Sequence, residues 1–329
     1  MIMLYALITA LSVAIGGAVA AGGGGGGGSG AGGGTTSNAV VIPESWDNSS
    51  NTTLIASFET EEYGMQTGLA RIRASEGYAL LSQNGKSIAG DGITVAVTDT
   101  GIRSTHNDIS ANYNQANSSS TSYVGDHGTH VAATIGAVKG NGSATMHGVA
   151  YNSTLTSVKV LEGADSGVGE GGIAYAATRG AKVVNMSWGY VNLDESSVQV
   201  VIDDSTYDTY KAALASDFAS AVTNDVVMVA ATGNDGYTDN VGMPALFAQD
   251  SVTNGQMIAV GSVDNPTIAT TAIEASTISS FSNRCKQTKD YCIVAPGTLI
   301  NAASSTSDTS YVTIQGTSMA TPHVAGAAA

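Results

Sequence analysis

Basic residues are scarce: 12 Lys and Arg face 27 Asp and Glu in 329 residues, a net charge of −15. That balance excludes the basic surfaces that hold nucleic acid or anionic membranes. With only two cysteines, the chain cannot build a structural zinc site from thiolates alone. No cysteine precedes the glycine-rich run at 22–34, so a lipid anchor has no attachment point. No unit repeats along the chain, which argues against solenoids and propellers. The triplet Asp99-Thr100-Gly101 occurs once, so a shared-carboxylate aspartic protease site would need a symmetric dimer. His127 and His130 lack the i, i+4 spacing and the glutamate of a helical zinc motif.

What is present begins with an uncharged terminus, Glu44 being the first charged side chain. Ile2 to Ala20 is an apolar run ending in Ala18-Val19-Ala20, a small-x-small cleavage pattern without a basic flank. Residues 1–21 therefore read as a secretory signal peptide, with an uncleaved membrane anchor as the alternative. Residues 22–62 read as a glycine-rich and then polar linker. Cys285 and Cys292 flank a short polar loop, a spacing that suits a disulfide in an exported protein; two free thiols are the alternative.

From residue 63 onward the chain reads as one domain. Tyr63 to Gly90 suggests one or two short helices. Beyond it, β-branched runs at 93–97, 154–160, 182–186, 226–230 and 257–260 read as strands buried on both faces. Helical stretches fall between them at 128–138, 171–179 and 210–223. Tyr190 to Asp208 reads as a polar surface insertion. Strands alternating with helices imply an α/β fold in which a mostly parallel sheet is covered on both faces. In such sheets chemistry gathers beyond the carboxyl ends of the strands.

Three motifs stand there. Asp99 follows the first strand, Asn234 in Thr232-Gly233-Asn234-Asp235-Gly236 follows the fourth, and His127 opens a helix. The fourth element is Gly316-Thr317-Ser318-Met319-Ala320-Thr321-Pro322-His323, which delivers a serine to the first turn of an apolar helix over 319–329. Unpaired N–H groups and the macrodipole favour negative charge at that point. Singly, each has a plain reading: a turn aspartate, a Gly-Asn turn, a helix-capping serine. Together they are the parts of acyl transfer, in which a base activates serine, a carboxylate orients the base, and fixed donors receive the oxyanion. His130 reads as a hydrogen-bonded core residue.

These residues, in the order Asp99, His127, Ser318, resemble the subtilisin-like serine proteases over roughly 68–329. The resemblance implies a three-layer subtilisin-like fold and a serine endopeptidase that needs no cofactor for its chemistry. It makes Asp99, His127 and Ser318 the triad, with Asn234 and the Ser318 N–H as oxyanion donors. Ser187-Trp188-Gly189 and Asp165-Ser166-Gly167 match the two edges of a cleft that binds protein or peptide substrates in extended form. Trp188 is expected to wall the first pocket, with Asp235 near its rim. Asp108, with Asn141 in the loop 140–145, matches a position for a structural Ca²⁺, a loop that offers no carboxylate here. Met146 to Tyr151, Ser282 to Cys285 and Tyr291 to Gly297 resemble the autotransporter branch. That likeness implies a downstream outer-membrane β-barrel and a secreted or cell-surface location. Relatives continue past the serine helix, so the expectation is a domain over 63–329 whose C-terminal part is missing and which folds poorly alone, with an exposed core face as the alternative. The region before Gly68 is short and polar for the folded inhibitory propeptide that many relatives carry, so maturation by removal of such a domain is not expected. The rival expectation is a catalytically silent surface or adhesion module that keeps the fold.

Overall fold

The computed structural model describes residues 51–142, 146–162, 170–189, 192–193, 199–200, 204–265 and 277–329. The expected signal peptide and most of the expected linker lie outside them. Among the described residues no helix is long and apolar enough to cross a membrane.

Six strands form one sheet: β1 (Thr94–Asp99), β2 (Thr154–Lys159), β3 (Val183–Met186), β6 (Val227–Ala231), β7 (Met257–Val263) and β8 (Cys292–Pro296). Two short strands, β4 (Asn192–Leu193) and β5 (Gln199–Val200), pair with each other. The sheet order is β2-β1-β3-β6-β7-β8, and every neighbouring pair is parallel. Side chains alternate along each strand between two cores. Val95 and Val97 enter one core and Ala96 the other, and Val227 and Val229 oppose Met228 and Ala230 in the same way.

The first core is closed by α5 (His127–Gly136) and α9 (Thr317–Ala328); the second by α6 (Gly172–Thr178) and α8 (Ala215–Thr223). This is the expected three-layer α/β arrangement. An antiparallel hairpin, β9 (Ile300–Ala303) with β10 (Tyr311–Ile314), lies beside the first core. It escaped the sequence reading because β10 is half exposed and polar-interrupted. β8 escaped too, since a cysteine and a proline bound its short apolar run. The helix expected over 210–223 starts earlier and breaks at Leu214, giving α7 (Asp204–Ala213) and α8.

The expected linker ends too late. Within it, α1 (Thr52–Phe58) is already helical and packs the Phe58 ring 5.5 Å from Tyr78. Then come α2 (Glu61–Met65), α3 (Thr67–Arg71) and α4 (Ala74–Gln83), three helices where one or two were expected. Thr60 caps α2 through its side chain, and buried Glu62 accepts the Gly140 N–H. This segment lies against the serine helix. A Cβ on Gly68 would stand 2.3 Å from Nε2 of His323, so glycine makes room for that imidazole against the α3 backbone. α9 is buried from Met319 through Gly326. Half-buried Ile258, Ile293 and Ile314 mark the looser side of that core.

Three buried histidines each give a ring N–H to a backbone carbonyl: His130 to Ile300, His147 to Gly148 and His323 to Met319. Burial pushes each of them down to about 4. An unfolded chain holds imidazoles near the ordinary value of about 6.5, so it binds more protons than the fold between those limits. Stability must therefore fall as pH drops through that window, beginning before most carboxylates titrate. Urea denaturation at pH 7, 6 and 5 should show progressive loss; an unfolding free energy flat over that range would contradict it.

Candidate active site

The parallel sheet places three of the expected residues past strand ends on one edge. Asp99 is the last residue of β1 and is fully buried. Its Oδ1 accepts from the Thr100 N–H at 2.7 Å and from Nδ1–H of His127 at 2.8 Å. A carboxylate can only accept, so Nδ1 carries the proton and neutral His127 presents a lone pair at Nε2. The His127 side chain is 22% exposed, enough for Nε2 to meet a substrate. Burial alone would lower its pKa, but the Asp99 charge and hydrogen bond outweigh it, and the imidazole is raised above its ordinary value.

Glycine sets this contact. A Cβ on Gly128 would stand 2.3 Å from the Gly101 carbonyl and 3.1 Å from Asp99 Oδ1. Asp126, before His127, accepts at one oxygen from the Ser305 N–H at 2.6 Å and from the Ser304 and Ser305 hydroxyls. Burial opposes its ionisation, yet these bonds prevail and hold its carboxyl below the usual range. The start of α5 is thereby tied to the turn between β9 and β10.

Ser318 stands in the first turn of α9. Pro322 has no N–H for the Ser318 carbonyl four residues earlier, so that acceptor is freed. The Ser187 hydroxyl donates to it at 2.9 Å, and the Ser318 hydroxyl donates back to the Ser187 carbonyl at 2.8 Å. Asn185 in β3 orients the Ser187 hydroxyl at 2.9 Å. Ser318 thus spends its proton on the neighbouring strand end and is not hydrogen-bonded to His127.

Asn234 follows β6. Its Oδ1 accepts from the Thr317 N–H at 2.7 Å and the Thr317 hydroxyl at 3.0 Å, which fixes the amide and points Nδ2 away from those donors. A Cβ placed on Gly316 would lie 3.4 Å from Asn234 Nδ2 and 3.6 Å from the Ser318 N–H. Two donors therefore converge on one space that Gly316 leaves empty. Thr317 was quoted within the serine motif, but nothing in its type announced that it holds the asparagine.

The remaining expected residues separate. Ser187 and Gly189 line the end of β3, whereas the Trp188 side chain is buried in the second core and its indole N–H donates to Thr98. Its apolar area and its single donor are both satisfied inside. Asp165, Ser166 and Gly167 lie outside the described residues. Asp235 is partly buried beside Asn234, and burial raises its pKa against the hydrogen bonds from Asn283 and Asn234. Cys285 and Cys292 form a disulfide. Asp108 and Asn141 do meet, but Asn141 Nδ2 and the Tyr311 hydroxyl occupy the two carboxylate oxygens, each at 2.6 Å. Donors facing a buried carboxylate do not suit a cation, and among the described residues no three acidic, His or Cys side chains cluster as a metal would need.

An aspartate, a histidine and a serine beside two convergent N–H donors on the edge of a parallel sheet define a class, and the chain belongs to the subtilase family of serine-type endopeptidases. The profile of that family, Peptidase S8, matches residues 90–329. Subtilisin BL of Lederbergia lenta is 34% identical over 269 residues, 80% of this chain and 82% of that protein. An alkaline protease of Alkalihalobacillus alcalophilus is 33% identical over 280 residues, covering 83% of this chain but only 61% of that longer protein. A cold-adapted subtilisin-like serine proteinase of known crystal structure superposes with a TM-score of 0.51 at 29% identity, over 73% of this chain and 75% of that one.

Gly128→Ala should force the Gly101 backbone and Asp99 apart from α5, costing about 1–3 kcal/mol of stability. Chemical denaturation measures that cost, and an unchanged midpoint would show that the close approach is not needed.

Proposed function

We propose that this chain hydrolyses peptide bonds as a serine endopeptidase, through Asp99, His127 and Ser318. The observation that carries the reading is the 2.8 Å hydrogen bond between His127 Nδ1 and buried Asp99, made on the sheet edge that also bears Ser318. Ser318 Oγ turns from the Ser187 carbonyl by a change of side-chain rotamer and gives its proton to His127 Nε2 as it attacks the scissile carbonyl. The oxyanion forms in the space beside Gly316, receiving the Asn234 Nδ2–H and the Ser318 N–H. The imidazolium, held by Asp99, then protonates the leaving amine, and the C–N bond breaks. Water repeats the sequence on the acyl-enzyme, returning the proton to Ser318 through His127.

Substrates are protein or peptide segments bound in extended form along the backbone at 187–189, with 165–167 as the opposite edge. No step needs a cofactor. A structural Ca²⁺ at Asp108 and Asn141 would have to displace the two donors now on that carboxylate, so this reading does not depend on one. Export through the segment at 1–21, to a secreted or cell-surface location, accords with the apolar N-terminus. A downstream β-barrel of the autotransporter kind is the corresponding partner.

A fluorophosphonate probe should label Ser318 alone, and Ser318→Ala should abolish both labelling and peptide hydrolysis. Undiminished hydrolysis by that variant would reject the nucleophile, and a wild-type chain that binds peptide without being labelled would mark a silent module. Asn234→Ala should lower kcat roughly 10²–10³-fold, the cost of one oxyanion donor; a loss under about tenfold would reject its role. Because the base must be unprotonated and its pKa is raised, the acid limb of kcat/KM should lie above the ordinary imidazole value of about 6.5. Asp99→Asn should move that limb down while lowering the plateau; a limb that stays in place would separate Asp99 from the base.

A further inference from the structure

The loop carrying Asn234 is fastened by one side chain from a different segment. Asn283 lies between β7 and β8, two residues before the disulfide, and is 1% exposed. Its Oδ1 accepts from the N–H groups of Asp235 at 3.1 Å and Tyr237 at 3.0 Å. Its Nδ2 donates to the Thr232 carbonyl at 3.0 Å and to Asp235 Oδ2 at 2.9 Å. The backbone follows suit: Asn283 N–H donates to the Gly233 carbonyl at 3.0 Å, and its carbonyl accepts from the Thr232 hydroxyl at 3.2 Å. Arg284 extends the strap with a bond from its N–H to the Tyr237 carbonyl at 2.9 Å. The whole polar capacity of the amide is spent on residues 232–237, on both sides of Asn234.

The slot is cut for this amide. Gly233 adopts φ 105°, and a Cβ there would stand 2.5 Å from Asn283 Nδ2. Aspartate would keep the two acceptor bonds, lose both donor bonds, and set a second carboxylate against Asp235. Thr317 fixes the Asn234 amide and accepts the Gly233 N–H at 3.3 Å, but the far side of the loop, at Asp235 and Tyr237, is held by the Asn283 side chain. An oxyanion donor must keep its aim to within a fraction of an ångström.

We infer that Asn283 is a positioning residue for catalysis, fixing the 232–237 loop so that Asn234 aims Nδ2 into the oxyanion space. The inference rests on the serine endopeptidase reading above. It predicts that Asn283→Ala lowers kcat about tenfold or more while KM stays within about twofold, since a misaimed donor fails chiefly in the transition state. The decisive readout is a double-mutant cycle. With Asn234→Ala already present, Asn283→Ala should cost less than about a further twofold in kcat, because it acts through a donor that is gone. Folded fraction is checked by near-UV circular dichroism at the assay temperature. Should Asn283→Ala not fold, Asn283→Asp carries the same cycle. An equal loss in both backgrounds would overturn the inference and leave Asn283 as a stabiliser only, as would a loss confined to KM. If Asn234→Ala itself leaves kcat unchanged, the inference falls while the nucleophile stands; only an active Ser318→Ala variant removes the reading beneath it.

Discussion

Parallel pairing of the strands is the constraint on which the site depends. It brings every carboxyl end to one edge, so residues far apart in the chain that share only the property of following a strand become neighbours. Asp99 closes β1, Ser187 follows β3, and Asn234 follows β6. β3 lies between β1 and β6 in the sheet, so these three ends sit in adjacent register. The two helices of the first core then supply His127 and Ser318 from above that edge. Glycine allows the close packing of both: Gly128 lies against the Gly101 carbonyl, and Gly68 against the His323 imidazole of α9.

The histidines show how the fold separates chemical roles. His106, His130, His147 and His323 each bond a backbone carbonyl, and only His127 meets a carboxylate. Burial suppresses the charge of His130, His147 and His323, while Asp99 overrides burial at His127. At His127 a carboxylate thus helps the imidazole to take and hold a proton. Lowering the pH sets stability against the proposed function at this position: protonated His127 strengthens its bond to Asp99 but could not serve as the proposed base. The serine side is equally economical. A proline that would weaken an ordinary helix frees the Ser318 carbonyl, and Ser187 uses it to tie α9 to β3.

Much of this was legible in the sequence, for identifiable reasons. Strands buried on both faces leave long β-branched runs, and five of the six parallel strands were found that way. The Asp, His, Asn and Ser motifs were legible because each sits at a strand end or helix start, where glycines mark the tight geometry. β8 was missed because five residues bounded by Cys292 and Pro296 carry little pattern, and β9 with β10 because a half-exposed hairpin alternates with polar residues. The burial of Trp188 was not legible: next to a cleft it suggests a wall, and only the fold shows its indole N–H bonded to Thr98 inside the core. α1 was not read from the sequence because it is only seven residues long and buries none of them fully, its packing resting on Phe58 against a distant Tyr78. The reciprocal Ser187 and Ser318 bonds, and the grip of Asn283, depend on contacts between segments some hundred residues and some fifty residues apart. No local pattern encodes those.

The central claim is that Ser318, His127 and Asn234 act on one reacting carbon. The crystal structure of the chain with a peptidyl boronic acid tests it most directly. The account predicts a boron bonded to Ser318 Oγ, one boronate oxygen held by Asn234 Nδ2 and the Ser318 N–H beside Gly316, and another within hydrogen-bond reach of His127 Nε2. A boronate bound elsewhere, with Ser318 still donating to the Ser187 carbonyl, would contradict it.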